Sequence, residues 1–408
     1  MKVCIFTENH LKGGVDTFLT NLINAWPEPS DTLTLMCNSS HPGLVTISQK
    51  VKRIFVIKKY NRLYATKLAA GQDRYGIGQI FVARAFLVLS YRLFQYPILF
   101  PWYVFSLSLK FRKSKFDRLL VVNGGYPASL LCRSALVAWR LSGKSRLGIL
   151  NFHNTAPVAQ RRYRYFEDFI DRLVVRSSSY IVSVTQNCLD TLNNRPAFMS
   201  YQHFKVIRNG IEDPLIKKSH KTKILGDNPK QSPYILMLGT YEPRKGHLFL
   251  LKAFQLVHQA YPDMNLKIYG YGVGNQKKTV SDEVERLGLG YAVELNDFTS
   301  QTYELLRSAK ILVAPSQEYE SFNLTIIEAM ACGLPVVTTD VGGMPEVLGD
   351  SGAGYISSKD NPEEFAAKVV RILENDAIES AMRINGRETY VKKYTASKMA
   401  SKYRKLLL

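Results

Sequence analysis

The stretch PSQEYESFNLTIIEAMACGLPVVTTDVGGMPEVL, residues 315–348, decides the fold of this chain. It follows an apolar run, ILVAP, passes through a polar loop, and continues as a helical pattern that begins near Asn323. Gly333 and Pro335 end that helix, and PVVTT (335–339) is typical of a buried strand. A strand, a loop, a helix and a second strand in this order predict a βαβ unit with parallel strands.

The same alternation of apolar runs and helical patterns fills both halves of the chain. The predicted strands are 3–7, 32–36, 53–57, 118–122, 147–152, 180–184, 234–239, 266–270, 292–295, 311–315 and 335–339. A polar, Pro- and Gly-punctuated stretch, 209–233, is predicted to be the linker between two domains. The pattern therefore predicts an α/β protein with two doubly wound, Rossmann-like domains facing across a cleft, where ligands bind at the carboxyl ends of the strands. We place the domains at 1–212 and 213–390, with a basic terminal helix, 391–408, packing back on the first.

The charge of the 408-residue chain is unevenly distributed. Residues 1–218 hold 31 Lys and Arg against 12 Asp and Glu, whereas residues 219–408 hold 23 against 22. A face turned toward an anionic membrane, a phosphorylated lipid or a nucleic acid explains this excess, and so does a merely solubilising surface. Five scattered cysteines without a C-x-x-C argue against a disulfide framework or a zinc site and favour a reducing compartment. The first apolar run is too short for a signal peptide, so a cytoplasmic location is expected.

Two glutamates flank the start of the predicted 323–332 helix. Glu320 lies just before the helix and Glu328 lies within it. A helix N-terminus presents unpaired N–H groups that can bind a diphosphate. Glu320 would then lie beside the first groups past the phosphate, and Glu328 could accept hydrogen bonds from a ribose. Either glutamate alone would read as a capping or solvated carboxylate, but the pair in this setting indicates a binding site.

A second motif, LMLGTYEPRKGHLFLLKAF (236–254), carries Arg244 and Lys245 between a strand and a helix. Two cations at a strand end suit the negative charge that develops on a leaving diphosphate. An isolated Arg-Lys pair is more often solvated surface.

Residues 320–337 resemble the E-x7-E signature of the family 4 retaining glycosyltransferases, which have the GT-B fold. The resemblance implies that Glu320 contacts the transferred sugar and Glu328 the nucleotide ribose. It also implies that Arg244 and Lys245 bind the donor phosphates. The stretch between the two glutamates implies further donor-binding residues, with Asn323 in place of the usual glycine: Ser321, Phe322, Asn323 and Leu324.

The first half resembles the same family more thinly. Gly13 and Gly14, with Asp16 after them, are similar to the family's G-G-x-E loop near the reacting centre, so Gly14 is expected at the donor. His153, in NFHNT (151–155), matches a histidine that touches the donor sugar; by itself a lone histidine is more often structural. The absence of D-x-D predicts a metal-independent reaction without a cofactor. The resemblance further implies retention through front-face transfer.

Residues 80–115 are apolar and aromatic with interspersed cations, and Arg84, Arg92, Pro97 and Pro101 argue against a transmembrane helix. This segment indicates an interfacial membrane patch around Trp102, or two packed helices, or both. We therefore predict a hexosyltransferase that is peripheral at the cytoplasmic face of the membrane. It moves a sugar from a nucleotide-sugar to a lipid-linked saccharide of lipopolysaccharide, O-antigen or capsule. A UDP-sugar is the favoured donor, and GDP-mannose is the second choice. The alternatives are a transferase with a soluble acceptor and a non-catalytic nucleotide-sugar-binding protein. Nucleic acid is not an expected partner.

Overall fold

The computed structural model describes residues 1–10, 13–60, 90, 93–127, 129–215, 233–272 and 274–408. The chain forms two compact units. Unit 1 comprises Met1–Arg208 together with Ser397–Leu408, and unit 2 comprises Asn209–Ala396. Each unit is an open parallel sheet with helices, so the predicted α/β fold is confirmed.

Unit 1 is built on a seven-stranded parallel sheet in the order β3-β2-β1-β4-β5-β6-β7. Its central strands are apolar and buried on both faces, as parallel strands covered by helices must be. The strands are β1 (Lys2–Thr7), β2 (Thr32–Asn38), β3 (Val56–Tyr60), β4 (Arg118–Asn123), β5 (Gly148–Phe152), β6 (Ser178–Ser183) and β7 (Phe204–Val206). The helices are α1 (Gly14–Asn24), α2 (Leu44–Lys50), α3 (Phe100–Lys113), α4 (Leu130–Leu141), α5 (Arg164–Ser177) and α6 (Gln186–Asp190).

Unit 2 repeats the design with six parallel strands in the order β10-β9-β8-β11-β12-β13. The strands are β8 (Tyr234–Leu238), β9 (Asn265–Tyr269), β10 (Val293–Asn296), β11 (Ile311–Ala314), β12 (Val336–Thr339) and β13 (Gly354–Ser357). The helices are α7 (His247–Ala260), α8 (Gln276–Arg286), α9 (Thr302–Ser308), α10 (Leu324–Ala331), α11 (Met344–Leu348), α12 (Pro362–Leu373) and α13 (Asp376–Lys393).

The end of the chain is not the single helix predicted over 391–408. Helix α13 continues to Lys393, and a separate helix, α14 (Ala396–Leu407), follows. Between them Thr395 forms an isolated bridge with Ile211, and this backbone pairing interrupts the helix. Helix α14 contributes Tyr403 to the core of unit 1, where the Tyr403 hydroxyl accepts a hydrogen bond from Asn151 Nδ2 at 2.8 Å.

Two further strand predictions need correction. Strand β3 begins at Val56, three residues later than expected, because its pairing with β2 starts only there, at Thr34. The Arg53 guanidinium before it donates to the carbonyls of Trp26 (3.1 Å) and Asp31 (2.8 Å). Strands β7 and β13 were not predicted; both are short and lie at sheet edges.

Two predicted segments extend beyond the described ranges. Residues 216–232 of the 209–233 linker, and residues 80–89 and 91–92 of the 80–115 segment, lie outside the described ranges. In the parts of the chain that are described, no helix is both long enough and apolar enough to cross a bilayer.

Candidate functional site

The site in unit 2 follows from its strand order. Strands β8 and β11 are neighbours, but the chain leaves β8 toward β9 and leaves β11 toward β12, on the other side. The loops that follow these two strands therefore diverge and leave a crevice at the carboxyl edge of the sheet. Those loops are residues 239–246 and 315–323, which hold both sequence motifs.

The two loops are fixed against each other through their backbones. The Gln317 N–H donates to the Arg244 carbonyl at 2.8 Å. Gly246 has φ 77°, and a Cβ at that position would lie 1.9 Å from the Pro315 carbonyl oxygen. Only glycine permits this approach, so Gly246 sets the spacing of the loops.

Glu320 meets both predicted cations at this corner. Arg244 Nη1 donates to Glu320 Oε2 at 3.1 Å, and Lys245 Nζ forms an ion pair with the same oxygen. The side chains of Glu320 and Lys245 are each only 14% exposed. The pairing is therefore less screened by water than an ordinary surface salt bridge. We call Glu320, Arg244 and Lys245 the charged corner.

A second carboxylate, which the sequence analysis did not single out, completes the charge balance. Glu242 accepts a hydrogen bond from Arg244 Nε. Partial burial works to lower the pKa of Arg244, but Glu320 and Glu242 outweigh it and raise that pKa above its ordinary value. Burial similarly works to raise the pKa of Glu242, and Arg244 reverses the effect and lowers it. Both side chains are therefore ionised at neutral pH.

The backbone of Glu320 is held by the loop after β12. The Gly343 N–H donates to the Glu320 carbonyl at 2.8 Å. Gly342 has φ 59°, and a Cβ on it would lie 2.3 Å from the same oxygen. The G-G of the decisive stretch thus sets the position of the carboxylate.

Helix α10 begins at Leu324, as predicted, with Asn323 as its cap. Asn323 has φ 61°, a left-handed conformation that glycine adopts freely and that asparagine tolerates better than most residues. Its Oδ1 accepts hydrogen bonds from the Thr325 N–H (3.3 Å) and hydroxyl (2.7 Å). Asn323 therefore adopts a conformation that is open to glycine, and it adds a cap.

The remaining predicted donor residues of unit 2 surround this helix start. Ser321 is half-buried, while Phe322 is buried and packs edge-on to Tyr394. Glu328 lies in α10 and is half-buried. Burial, and then the charge of Glu328, raise the pKa of Tyr303 on α9. Glu328 therefore lies close to that phenol.

Unit 1 has its own point of divergence, between β1 and β4. Glu8 follows β1 and accepts a hydrogen bond from Ser129, which caps α4. Gly14 is the first residue of α1. Asp16, two residues on, accepts hydrogen bonds from the Gly13 N–H (3.0 Å) and from Asn9 Nδ2 (3.1 Å), so its carboxylate is used to fix the glycine loop.

His153 follows β5 in unit 1 and is buried. Its ring packs edge-on to Phe18, with ring centroids 4.4 Å apart. Burial lowers the pKa of His153 to about 3, so the imidazole is neutral at pH 7. Its Nε2 has no hydrogen-bond partner among the described residues. A neutral ring can exchange a hydrogen bond with a sugar hydroxyl, but it supplies no positive charge.

In the described ranges, no group of three or more His, Cys, Asp or Glu side chains could hold a metal ion. Independence from metals stays a prediction.

The comparisons with known proteins agree with this architecture. Residues 221–389 match the family described as glycosyl transferases group 1. A structure titled "Crystal structure of Anabaena Alr3699/HepE in complex with UDP" superimposes with a TM-score of 0.71 at 17% identity, covering 100% of this chain and 99% of that one. The fold is GT-B, and residues 221–389 are similar to the group 1 glycosyltransferases.

Two curated relatives are similar over part of their length. The phosphatidyl-myo-inositol mannosyltransferase of Mycobacterium tuberculosis is 34% identical over 180 residues, which are 42% of this chain and 46% of the relative. The O-antigen chain mannosyltransferase B of Escherichia coli is 35% identical over 155 residues, 35% of this chain and 38% of the relative. The matches thus span less than half of either relative.

Proposed function

We propose that this protein is a retaining glycosyltransferase that moves a sugar from a nucleotide-sugar to a membrane-associated saccharide in the assembly of lipopolysaccharide, O-antigen or capsule. The observation that carries the proposal is the charged corner: a shielded carboxylate held by two cations, at the crevice of a doubly wound sheet and beside a helix start. A nucleotide diphosphate fits cations and free N–H groups, and a sugar hydroxyl fits a carboxylate.

In the proposed reaction, the bond between the sugar C1 and the diphosphate oxygen breaks and negative charge develops on the diphosphate. Arg244, Lys245 and the N–H groups at the start of α10 stabilise that charge. The acceptor hydroxyl attacks C1 from the same face and gives its proton to the leaving diphosphate. Glu320 orients the sugar through its hydroxyls, and Glu328 binds the ribose. Electrostatic groups of this kind are each worth about 3 kcal/mol in the transition state.

The choice of donor rests on the similarity of this chain to the Anabaena structure and to the two curated relatives. The Anabaena structure was solved with UDP, and both curated relatives are named mannosyltransferases. A UDP-sugar and GDP-mannose are therefore the two donors we propose, in that order. The O-antigen and phosphatidylinositol names of the relatives support an acceptor carried on lipid at the inner face of the membrane.

A donor panel tests the proposal. UDP-glucose, UDP-galactose, UDP-N-acetylglucosamine and GDP-mannose are each incubated with the full chain under three conditions, and released nucleotide is measured. The conditions are no acceptor, a bacterial glycolipid extract, and a mixture of soluble sugars. We expect slow hydrolysis of one donor, accelerated by the extract, and a product whose anomeric configuration matches the donor. EDTA should leave the rate unchanged. If no donor releases nucleotide, the protein is not a transferase, and the alternative of a nucleotide-sugar-binding protein remains. If only soluble sugars accelerate nucleotide release, the acceptor is not carried on lipid.

The variant Glu320→Gln separates the charged corner from general stability. Glu379 provides a matched control, because it is 13% exposed and paired with Arg383 on α13, away from the loops. We expect Glu320→Gln to lose at least a hundredfold in nucleotide release, with Glu379→Gln unchanged. Equal activities of the two variants would overturn the role of the corner.

A further inference from the structure

Helix α3 of unit 1, together with the helical residues 93–99 that precede it, has an inner face that packs and an outer face that is as apolar as the inner one. The inner residues are buried and face the core: Tyr96, Phe100, Tyr103, Leu107 and Phe111. The outer residues follow helical spacing and are 42% to 58% exposed: Leu93, Phe94, Ile98, Trp102, Phe105 and Leu109. The outer face of a helix on a soluble protein is normally polar. A contiguous apolar stripe of this kind marks a surface that is covered by something else.

The charges beside the stripe show what kind of surface would cover it. Residues 93–116 contain no Asp or Glu. Four exposed cations lie at the end of α3 and just beyond it: Lys110, Arg112, Lys113 and Lys115. A helix that joins an apolar face with Trp and Phe to flanking Lys and Arg suits the boundary between the headgroups and acyl chains of an anionic bilayer.

Helix α5 extends the stripe. Its exposed aromatic residues are Tyr165, Phe166 and Phe169, beside the exposed cations Arg161, Arg162 and Arg164. Tyr96, at the base of the stripe, stacks on Phe166 with ring centroids 5.9 Å apart, so the aromatics of α5 adjoin the stripe. We call the stripe, these aromatics and these cations the apolar-basic face.

Beneath this face, the base of the stripe is hydrogen-bonded to α5, and α5 is paired with Arg195. The Tyr96 hydroxyl donates to Glu167 Oε1 at 2.7 Å, and Arg195 pairs with Glu167 and with Asp171 (2.9 Å). All of these side chains are buried. A buried, mutually paired network holds the stripe and α5 in one arrangement, so the face is available without a prior conformational change.

We propose that the apolar-basic face inserts into the surface of an anionic lipid bilayer. Trp102 and Phe105 would lie at the boundary between the headgroups and the acyl chains, and the cations would contact lipid phosphates. The inference rests on the proposed function only in that a lipid-borne acceptor would be presented at this surface. Vesicle binding needs neither donor nor acceptor. The protein can therefore bind vesicles even if it transfers no sugar, and it can transfer sugar even if it binds no vesicles.

The tryptophans allow a direct test with the full chain. Of the three tryptophans, Trp26 and Trp139 are buried, at 4% and 0% exposure, whereas Trp102 is 57% exposed. Vesicles of phosphatidylglycerol and phosphatidylethanolamine should shift the fluorescence to shorter wavelength, and lipids brominated on the acyl chains should quench it. Vesicles of phosphatidylcholine should give a much smaller effect. Trp102→Phe should abolish the spectral change while the protein still cosediments with the vesicles.

Substitutions then separate insertion from simple attraction. Ile98→Ser with Phe105→Ser should weaken cosedimentation at least tenfold and leave donor hydrolysis unchanged. Ile384→Ser with Tyr291→Ser, two exposed apolar residues of unit 2, is the matched control and should bind as the wild type does. Lys110→Gln, Arg112→Gln and Lys113→Gln together should weaken binding at low salt and reduce its salt dependence.

Three results would overturn the inference. The first is no binding to anionic vesicles at low salt, and the second is binding without a spectral shift or quenching, which indicates electrostatic adhesion alone. The third is self-association of the wild type, measured by ultracentrifugation, that Phe105→Ser removes, because the face would then join two copies of this chain.

Discussion

The two units share one topology but use charge in opposite ways. Unit 2 lies in the nearly neutral half of the sequence, yet it places Arg244 and Lys245 at its point of strand divergence. Unit 1 carries most of the excess charge, yet its corresponding edge presents Glu8 on Ser129 and the neutral ring of His153. Seven exposed cations of unit 1 lie instead in or beside α3 and α5: Lys110, Arg112, Lys113, Lys115, Arg161, Arg162 and Arg164.

Under the proposed function, this contrast means that net charge is a poor guide to the location of the phosphate site. A site that stabilises a leaving diphosphate needs a few cations held in fixed geometry, and paired carboxylates make the local sum close to zero. A surface that attracts anionic lipid needs many cations, and their exact positions matter little. We propose that the charge asymmetry of the sequence serves the second task and that the two motifs of unit 2 serve the first.

The largest expected effect tests the charged corner through its cations. Lys245→Met should lower kcat/KM for the donor by about 10²–10³-fold, because one preorganised cation is worth about 3 kcal/mol in the transition state. Lys368→Met is the control, since Lys368 also pairs with a glutamate, Glu364, but on α12. If both variants lose kcat/KM to the same extent, the effect of Lys245 is a general electrostatic one, and the charged corner does not differ from the rest of unit 2.

A second prediction compares a buried histidine in each unit. Burial lowers the pKa of His153 to about 3 and of His247 to about 4. The unfolded chain takes up protons as the pH falls through about 6.5, but the folded chain does not, so stability is lost below pH 6.5 and is unaffected above it. Between pH 7.5 and pH 5, each histidine should cost about 2 kcal/mol of unfolding free energy.

The measurement is denaturant unfolding of the wild type, His153→Gln and His247→Gln at both pH values. Each variant should lose less stability on acidification than the wild type does. The comparison at pH 7.5 isolates the packing change, since both histidines are neutral there. A variant with the acid sensitivity of the wild type would mean that its histidine is solvated in the folded chain.

A third prediction concerns the backbone at the start of α10. Asn323→Ala should destabilise the protein by about 1–2 kcal/mol, because it removes a cap and places at positive φ an alanine, which tolerates that conformation less well than asparagine does. Asn323→Gly should cost only a few tenths of a kcal/mol. Asn361→Ala is the matched control: Asn361 caps α12 in the same way at φ −126°, so only the cap is lost, at about 1 kcal/mol. Thermal unfolding of the three variants checks the order.

The smallest expected effect tests how the carboxylates of the charged corner affect donor binding. Glu242→Gln removes one of the two carboxylates on Arg244 and should tighten donor binding by a few fold, about 0.5–1 kcal/mol, because the pair is partly exposed. Calorimetric titration with the nucleoside diphosphate measures the change. Weaker binding in this variant would mean that Glu242 positions Arg244 rather than competing for it.

The sequence by itself determined the α/β class, eleven of the strands to within a few residues, and the helix that begins after Asn323, because alternating apolar runs, Gly-Pro stops and caps act locally. The edge strands β7 and β13, and the break at Thr395, depended on distant partners and were missed. The roles of Glu320, Glu328, Arg244 and Lys245 came from their setting and from the resemblance, and those of Gly14 and His153 came from the resemblance. All of them stay predictions.

Only the tertiary structure decided that Glu320 meets Arg244, 76 residues away, and that Glu242 shares the same guanidinium. It also decided that the outer face of α3 is exposed, since the apolar residues on its two faces look alike in sequence. The reason is the same in each case. Loop contacts across a parallel sheet, and the choice of which helix face packs inward, depend on strand order, which a local pattern does not encode.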